Sequence, residues 1–226
     1  MSDAVLELAG VSKVFGAGAD RLEIFAGVDL RVEAARKVVI TGESGCGKST
    51  LLNIIGGLEA ASGGSVRAGP YQIDSLDERG LTAYRRGYLG LVFQFHHLLK
   101  DFTALENVML PAFIAGVPMR EATERARSLL ADVNLEHRAS HYPSQMSGGE
   151  RQRAAVARAL VNDPALVLAD EPTGNLDPAN AATVRELLFS VVSARRRALV
   201  LVTHDREMAL AGDERYRFEG MRLVRQ

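Results

Sequence analysis

Val38-Val39-Ile40-Thr41-Gly42-Glu43-Ser44-Gly45-Cys46-Gly47-Lys48-Ser49-Thr50-Leu51-Leu52-Asn53-Ile54-Ile55-Gly56-Gly57 is the stretch on which the fold turns. It opens on a short, wholly apolar run, as expected of a strand covered on both faces in a parallel sheet. It closes on a helical run that stops at Gly56-Gly57. Between them, Gly42 to Ser49 fits G-x-x-x-x-G-K-[ST], in the strand–loop–helix context that the motif requires. Glycines let backbone N–H groups turn inward into a concave anion nest, and the helix adds the positive end of its dipole. Gly42, Glu43, Ser44, Gly45, Cys46, Gly47, Lys48, Ser49 and Thr50 are therefore candidate nucleotide contacts. Lys48 is placed to reach the β- and γ-phosphates and Ser49 to ligate Mg²⁺. By itself the loop says only that a nucleoside triphosphate is handled; kinases, GTPases and helicases share it.

Two further apolar runs, Ala165–Ala169 and Ala198–Val202, have the same character as Val38–Ile40. They end in Asp170-Glu171 and Thr203-His204. Ligands of open parallel sheets bind outside the carboxyl ends of the strands, so these ends point to one crevice. Asp170 suits the metal-holding acid of such sites and Glu171 a general base that polarises water. Taken alone, Asp-Glu-Pro-Thr after a strand also reads as an N-cap cluster. Upstream, Val5–Leu8, Leu22–Phe25 and Val28–Val32 alternate with a period of two, which predicts short antiparallel strands. The section from Leu98 to Asn162 is mostly helical, with helices over Glu121–Val133 and Ser147–Leu160. The expected fold is α/β: a mostly parallel central sheet, an antiparallel β subdomain, and a helical subdomain at roughly 96–162, in one domain over 5–226.

Ser147 and Glu150 form an S-x-x-E capping box before an alanine-rich helix. The intervening Gly148 and Gly149 are costly in a first turn, and make sense if backbone must lie close to something, such as a phosphate.

With these residues in view, Met146-Ser147-Gly148-Gly149-Glu150 resembles the signature of ABC transporter ATP-binding subunits, usually Leu-Ser-Gly-Gly-Gln, with Glu150 in place of the commoner Gln. Further matches follow in the family's order. Gln94 after Leu91-Val92-Phe93 resembles the sensing glutamine that also meets the metal. Gly174-Asn175-Leu176-Asp177 resembles the D-loop, and His204 the histidine that contacts the γ-phosphate. Phe15 stands where the family places an aromatic that stacks on adenine. The resemblance covers essentially the whole chain. It implies an ATPase with Mg²⁺ as cofactor, working as a head-to-tail dimer in which Ser147, Gly148, Gly149 and Glu150 of one copy complete the site of the other. A thiol reagent at Cys46 would then block ATP binding.

Phe93 to Val108 (FQFHHLLKDFTALENV) resembles most closely the branch of the family that serves bacterial lipoprotein-releasing transporters. Macrolide-exporter and cell-division ATPases are the related alternatives. That branch implies two integral membrane subunits resembling LolC and LolE, and a peripheral place on the cytoplasmic face of the inner membrane. Phe95, Leu98, Leu99, Phe102 and Leu105 form a candidate apolar seat for a membrane subunit, or else pack the helical section's own core. A soluble family member without a transporter usually carries long inserts or two fused cassettes, absent here. A small-molecule kinase would leave the signature and His204 without a task.

Composition sets the remaining bounds. The 226 residues suffice for a well-buried core, and a formal net charge of −1 disfavours a nucleic-acid partner. The one cysteine, Cys46, fits a reducing compartment. No apolar run spans a bilayer, and Met1-Ser2-Asp3-Ala4 carries no secretory pattern, so membrane association is expected only through partners.

Overall fold

A computed structural model describes residues 4–16 and 21–226. The chain divides into two compact units, one of Met1–Arg85 with Ala198–Gln226 and one of Arg86–Arg197.

The first unit begins with two long antiparallel strands, β1 (Ala4–Phe15) and β2 (Leu22–Glu33). The sequence suggests shorter pieces, because alternation breaks at Gly10 and around Ala26-Gly27. Both glycines have positive φ, 59° and 64°, so the strands bulge there and continue. The bulges are tied across the pair: Gly10 N–H donates to Asp29 Oδ1 at 2.8 Å, and Gly27 N–H to Ser12 Oγ at 2.9 Å. On the other edge of β1 lies β4 (Gly63–Ala68), followed by the short β5 (Tyr71–Gln72).

In the same unit β3 (Lys37–Thr41) pairs in parallel with β8 (Ala198–Thr203), Val38 opposite Val200 and Thr41 opposite Thr203. Its other edge pairs in parallel with β9 (Glu214–Glu219), which carries the antiparallel β10 (Arg222–Arg225). Val38 to Ile40 and Leu199 to Val202 are fully buried, as continuous apolar strands require. Helix α1 (Lys48–Ile55) follows β3, and α2 (Glu78–Gly87) is fastened to its end: buried Tyr84 donates its hydroxyl proton to Ile55 O at 2.8 Å. A short α7 (Arg206–Leu210) follows β8.

The second unit holds β6 (Leu89–Val92) paired in parallel with β7 (Leu166–Asp170), and four helices: α3 (Ala104–Ile114), α4 (Met119–Asp132), α5 (Gly148–Leu160) and α6 (Pro178–Ala194). It is wider than the expected helical section of 96–162. The reason is that α5 lies directly on β6 at Gly90, so the helices come away with β6, β7 and α6. Among the described residues no helix is long and apolar enough to cross a membrane.

Candidate nucleotide site

The phosphate loop leaves β3 at Thr41. Gly45 and Gly47 take φ of 80° and 100°, conformations that side-chain-bearing residues rarely adopt. Gly47 is also boxed in: a Cβ there would stand 2.6 Å from Ile24 Cγ2 and 2.9 Å from Phe25 Cδ1. At Gly42 a Cβ would meet Cys46 Sγ at 2.6 Å. The loop is thus held tight by β2 and by its own cysteine. Lys48 is only 7% exposed, and its ammonium donates to the carbonyls of Gly42 and Glu43 at 2.9 and 2.8 Å. Helices α3, α5, α6 and α7 each start with a side-chain cap, whereas α1 starts on Gly47 with no side-chain cap and no acid in its first turn. Its leading N–H groups are therefore presented to an incoming anion, with Ser49 exposed beside them.

Two other predicted residues share this unit. Thr41 and Thr203 are in register, so His204 leaves the same sheet edge as the loop, and it is exposed. Thr203 Oγ1 accepts the Asp205 N–H at 3.0 Å, setting the turn after His204. Phe15 ends β1 opposite Leu22, close along the ladder to the Ile24 and Phe25 that touch Gly47. The ring is 41% exposed. Lys13 holds its ammonium 4.5 Å from the ring centroid, fixed by Ala60 O and the Glu59 carboxylate, both at 2.8 Å. One face of Phe15 is therefore backed by a cation. Residues 17–20, the loop after Phe15, lie outside the described residues.

The second unit gathers the remaining predicted residues. Val92 is in register with Ala169, so Gln94 and Glu171 each stand two residues past a paired position on one sheet edge. Gln94 Nε2 donates to Asn175 Oδ1 at 3.2 Å, and Asn175 Nδ2 returns a bond to Gln94 O at 3.4 Å. Asp170 and Glu171 are half-buried. Glu171 has φ of 42°, a strained backbone for a side-chain-bearing residue, held as the Gly174 N–H donates to its carbonyl at 3.0 Å. Asp177 caps α6, accepting from Ala179 and Asn180 N–H at 3.2 and 3.1 Å. The Asn180 side-chain amide, then its backbone N–H, hold the Asp177 carboxyl below its ordinary pKa.

The capping box at α5 forms as expected: Glu150 N–H donates to Ser147 Oγ at 3.2 Å and Ser147 N–H to Glu150 Oε2 at 2.7 Å. The two glycines within it differ. A Cβ on Gly149 would overlap the Asn180 side-chain oxygen and stand 2.8 Å from its Cγ, while one on Gly148 would meet only Leu176 Cδ2 at 3.4 Å. Packing by α6 therefore accounts for Gly149, and Gly148 is the one with room beside its backbone.

Several structural partners escape a reading of the sequence. Buried Asn107 bonds Leu99, Phe102 and Thr103, stitching the 99–103 loop to α3. Arg158 donates to the carbonyls of His96 and His97 at 2.8 and 2.6 Å. An amide on the apolar side of α3 was the available signal for the first. With the loop so held, Phe95, Leu99 and Phe102 are exposed, Phe95 at 64%, while Leu98 and Leu105 are half-buried. The candidate apolar seat is therefore partly surface and partly internal packing.

The ABC transporter family model matches residues 25–174. The lipoprotein-releasing system ATP-binding protein LolD of Treponema denticola is 58% identical over 217 residues, 96% of each chain. That of Treponema pallidum is 57% identical over 225 residues, 100% of each. A dimeric post-hydrolysis structure of the ATP-binding cassette MJ0796, bound to ADP and Pi, matches with a TM-score of 0.87 and 36% identity over 96% of each chain. The chain belongs to the ABC transporter family and is one of its ATP-hydrolysing cassettes.

Proposed function

We propose that this chain powers the release of lipoproteins from the bacterial inner membrane, as the peripheral, cytoplasmic ATPase of a transporter with two integral membrane subunits resembling LolC and LolE. The observation that carries this reading is end-to-end similarity to lipoprotein-releasing ATP-binding proteins, 57% identical over the full length of both chains in one case. The exposed Phe95, Leu99 and Phe102, on a loop braced by Asn107 and Arg158, supply an apolar surface for a short helix of a membrane subunit.

In the proposed mechanism two copies meet head to tail with two-fold symmetry, giving two equivalent sites. Gly42–Ser49, with Thr50, wraps the triphosphate of one ATP, and Lys48 moves from loop carbonyls to the β- and γ-phosphates. Ser147–Glu150 of the second copy points the N-terminus of α5 at the γ-phosphate. Glu171 accepts a proton from water as the water oxygen bonds to the γ-phosphorus and the bond to ADP breaks. His204 steadies the departing phosphoryl oxygens, and Asp177 sits at the facing helix start. Ser49, Asp170 and Gln94 would hold Mg²⁺. No group of three or more His, Cys, Asp or Glu of metal-binding arrangement occurs among the described residues. The proposed set carries a single carboxylate, that of Asp170, which suits Mg²⁺, an ion held through one or two carboxylates beside phosphates and water. When bound, it would supply positive charge that offsets that of the phosphate oxygens.

The test is a pull-down from detergent-solubilised membranes with the Glu171→Gln chain in ATP. Recovery of two integral subunits of the lipoprotein-releasing type is expected. Recovery of macrolide-exporter or cell-division subunits instead would replace the cargo and keep the ATPase.

Phe15 supplies a separate prediction. Base–aromatic stacking contributes about 1–3 kcal/mol per base, so Phe15→Ala is expected to weaken ATP binding about tenfold. Binding of inorganic triphosphate, which has no base, is expected to stay put. Equal losses for both ligands in calorimetric titration would remove Phe15 from the base site.

A further inference from the structure

Glu150 places a carboxylate in the first turn of α5, the helix end that the proposed mechanism turns toward a phosphate. A bare carboxylate there would oppose the phosphate and cancel part of the helix dipole. The structure answers this with Arg138, from a short 3₁₀ turn at Glu136–Arg138. Its Nε donates to Glu150 Oε1 at 2.9 Å, and its Nη1 lies 3.2 Å from His141 Nε2. The Glu150 side chain is 13% exposed in this pair. Both carboxylate oxygens are thereby engaged, Oε2 by the Ser147 N–H and Oε1 by the guanidinium. The Glu150 carboxyl is held below its ordinary pKa first by the Ser147 N–H and then by Arg138, against a desolvation cost.

Capping alone does not require the arginine. Helix α3 has the same box, in which Glu106 Oε2 accepts from both the Thr103 N–H and the Thr103 hydroxyl at 2.7 Å. Among the described residues that box closes without a guanidinium on Glu106. What distinguishes α5 is the place of its N-terminus in the proposed dimer. We infer that Arg138 is a positioning residue of the signature segment, whose guanidinium neutralises and orients Glu150 so that the Ser147–Glu150 helix end offers N–H groups and no net negative charge to the nucleotide of the second copy. This rests on the dimeric reading above.

The test uses the full chain with Glu171→Gln, so that ATP-driven dimerisation is followed by sedimentation without turnover. Arg138→Gln is expected to raise the ATP concentration for half-maximal dimerisation about tenfold, the effect of one uncompensated charge near a triphosphate in a partly solvated interface. In the Glu150→Gln background the same Arg138→Gln change is expected to cost less than about twofold, because no charge remains to neutralise. Equal losses in the two backgrounds would make Arg138 a packing residue and overturn the inference. So would an unaffected dimer in R138Q. Should R138Q fold poorly, Arg138→Lys answers the same question: it keeps the charge and is expected to stay nearer the parent, and a full tenfold loss overturns the inference. If the Glu171→Gln parent stays monomeric in ATP, the dimeric reading itself fails, and the inference with it.

Discussion

Glu171→Gln is expected to lower ATP turnover by about 10²–10⁴-fold, the contribution typical of a positioned general base, while ATP binding is retained. The amide keeps the size of the carboxylate and loses its basicity, so loop geometry stays and the water proton has no acceptor. The backbone supports a functional reading of this position. A left-handed φ at a residue with a side chain costs roughly 1–3 kcal/mol, and Glu171 adopts one at 42° immediately after a buried strand. Pro172 and Thr173 behind it are buried and leave the strained residue little freedom to relax. Single-turnover hydrolysis beside equilibrium ATP binding checks the expectation. Turnover above a tenth of the parent's would assign the base elsewhere, and a matching loss of ATP affinity would mean that the substitution had disturbed the loop.

The sequence was informative where chemistry is local and contiguous. The phosphate loop, the residue types of the Ser147–Glu150 capping box and the three apolar strands are short patterns whose physics depends on neighbours a few positions away. The spacing predicts α4 at Glu121–Val133, and it lies at Met119–Asp132; it predicts α5 from Ser147, and the helix begins on that residue as N-cap. Residues that act across long separations left little trace. Arg138 reads as one more basic residue in a polar loop until α5 folds back to place Glu150 beside it. Asn180 gives Gly149 its reason, and nothing in the Gly148-Gly149 pair alone separates a glycine that receives a side chain from one with open space. Long strands are also less legible. A bulge glycine interrupts the period of two without ending the hydrogen-bonded ladder, so β2 looked like two pieces. The positive φ of Glu171 has no sequence signature either, since glutamate is not a residue that favours it.

Gly90→Ala is expected to carry a large stability cost, and it reaches the site through the fold. Gly90 sits in β6 where α5 crosses closest. An added methyl would overlap the carbonyl oxygen of Ala159 and come within 3.1 Å of both that carbonyl carbon and Pro164 Cγ. The obstacles are backbone and a proline ring, which cannot rotate away as the tip of a flexible side chain would. Either α5 moves off the sheet or β6 bends. Overpacking of this kind costs roughly 1–3 kcal/mol, and unyielding neighbours place Gly90→Ala at the upper end. For a domain of this size that corresponds to a fall in Tm of about 6–12 °C. Gly87→Ala is the control: it closes α2, and an added Cβ meets nothing within 4 Å, so its Tm is expected within about 3 °C of the parent. Because α5 carries the proposed signature residues at its first turn and Gln152 further along, whose amide donates to Phe93 O at 2.8 Å, displacing it also shifts the segment leading to Gln94. ATP-driven dimerisation of Gly90→Ala is therefore expected to weaken even well below its Tm. A variant that melts with the parent would show that α5 and β6 are not in the close contact described, and one that melts early yet dimerises normally would separate helix seating from signature function.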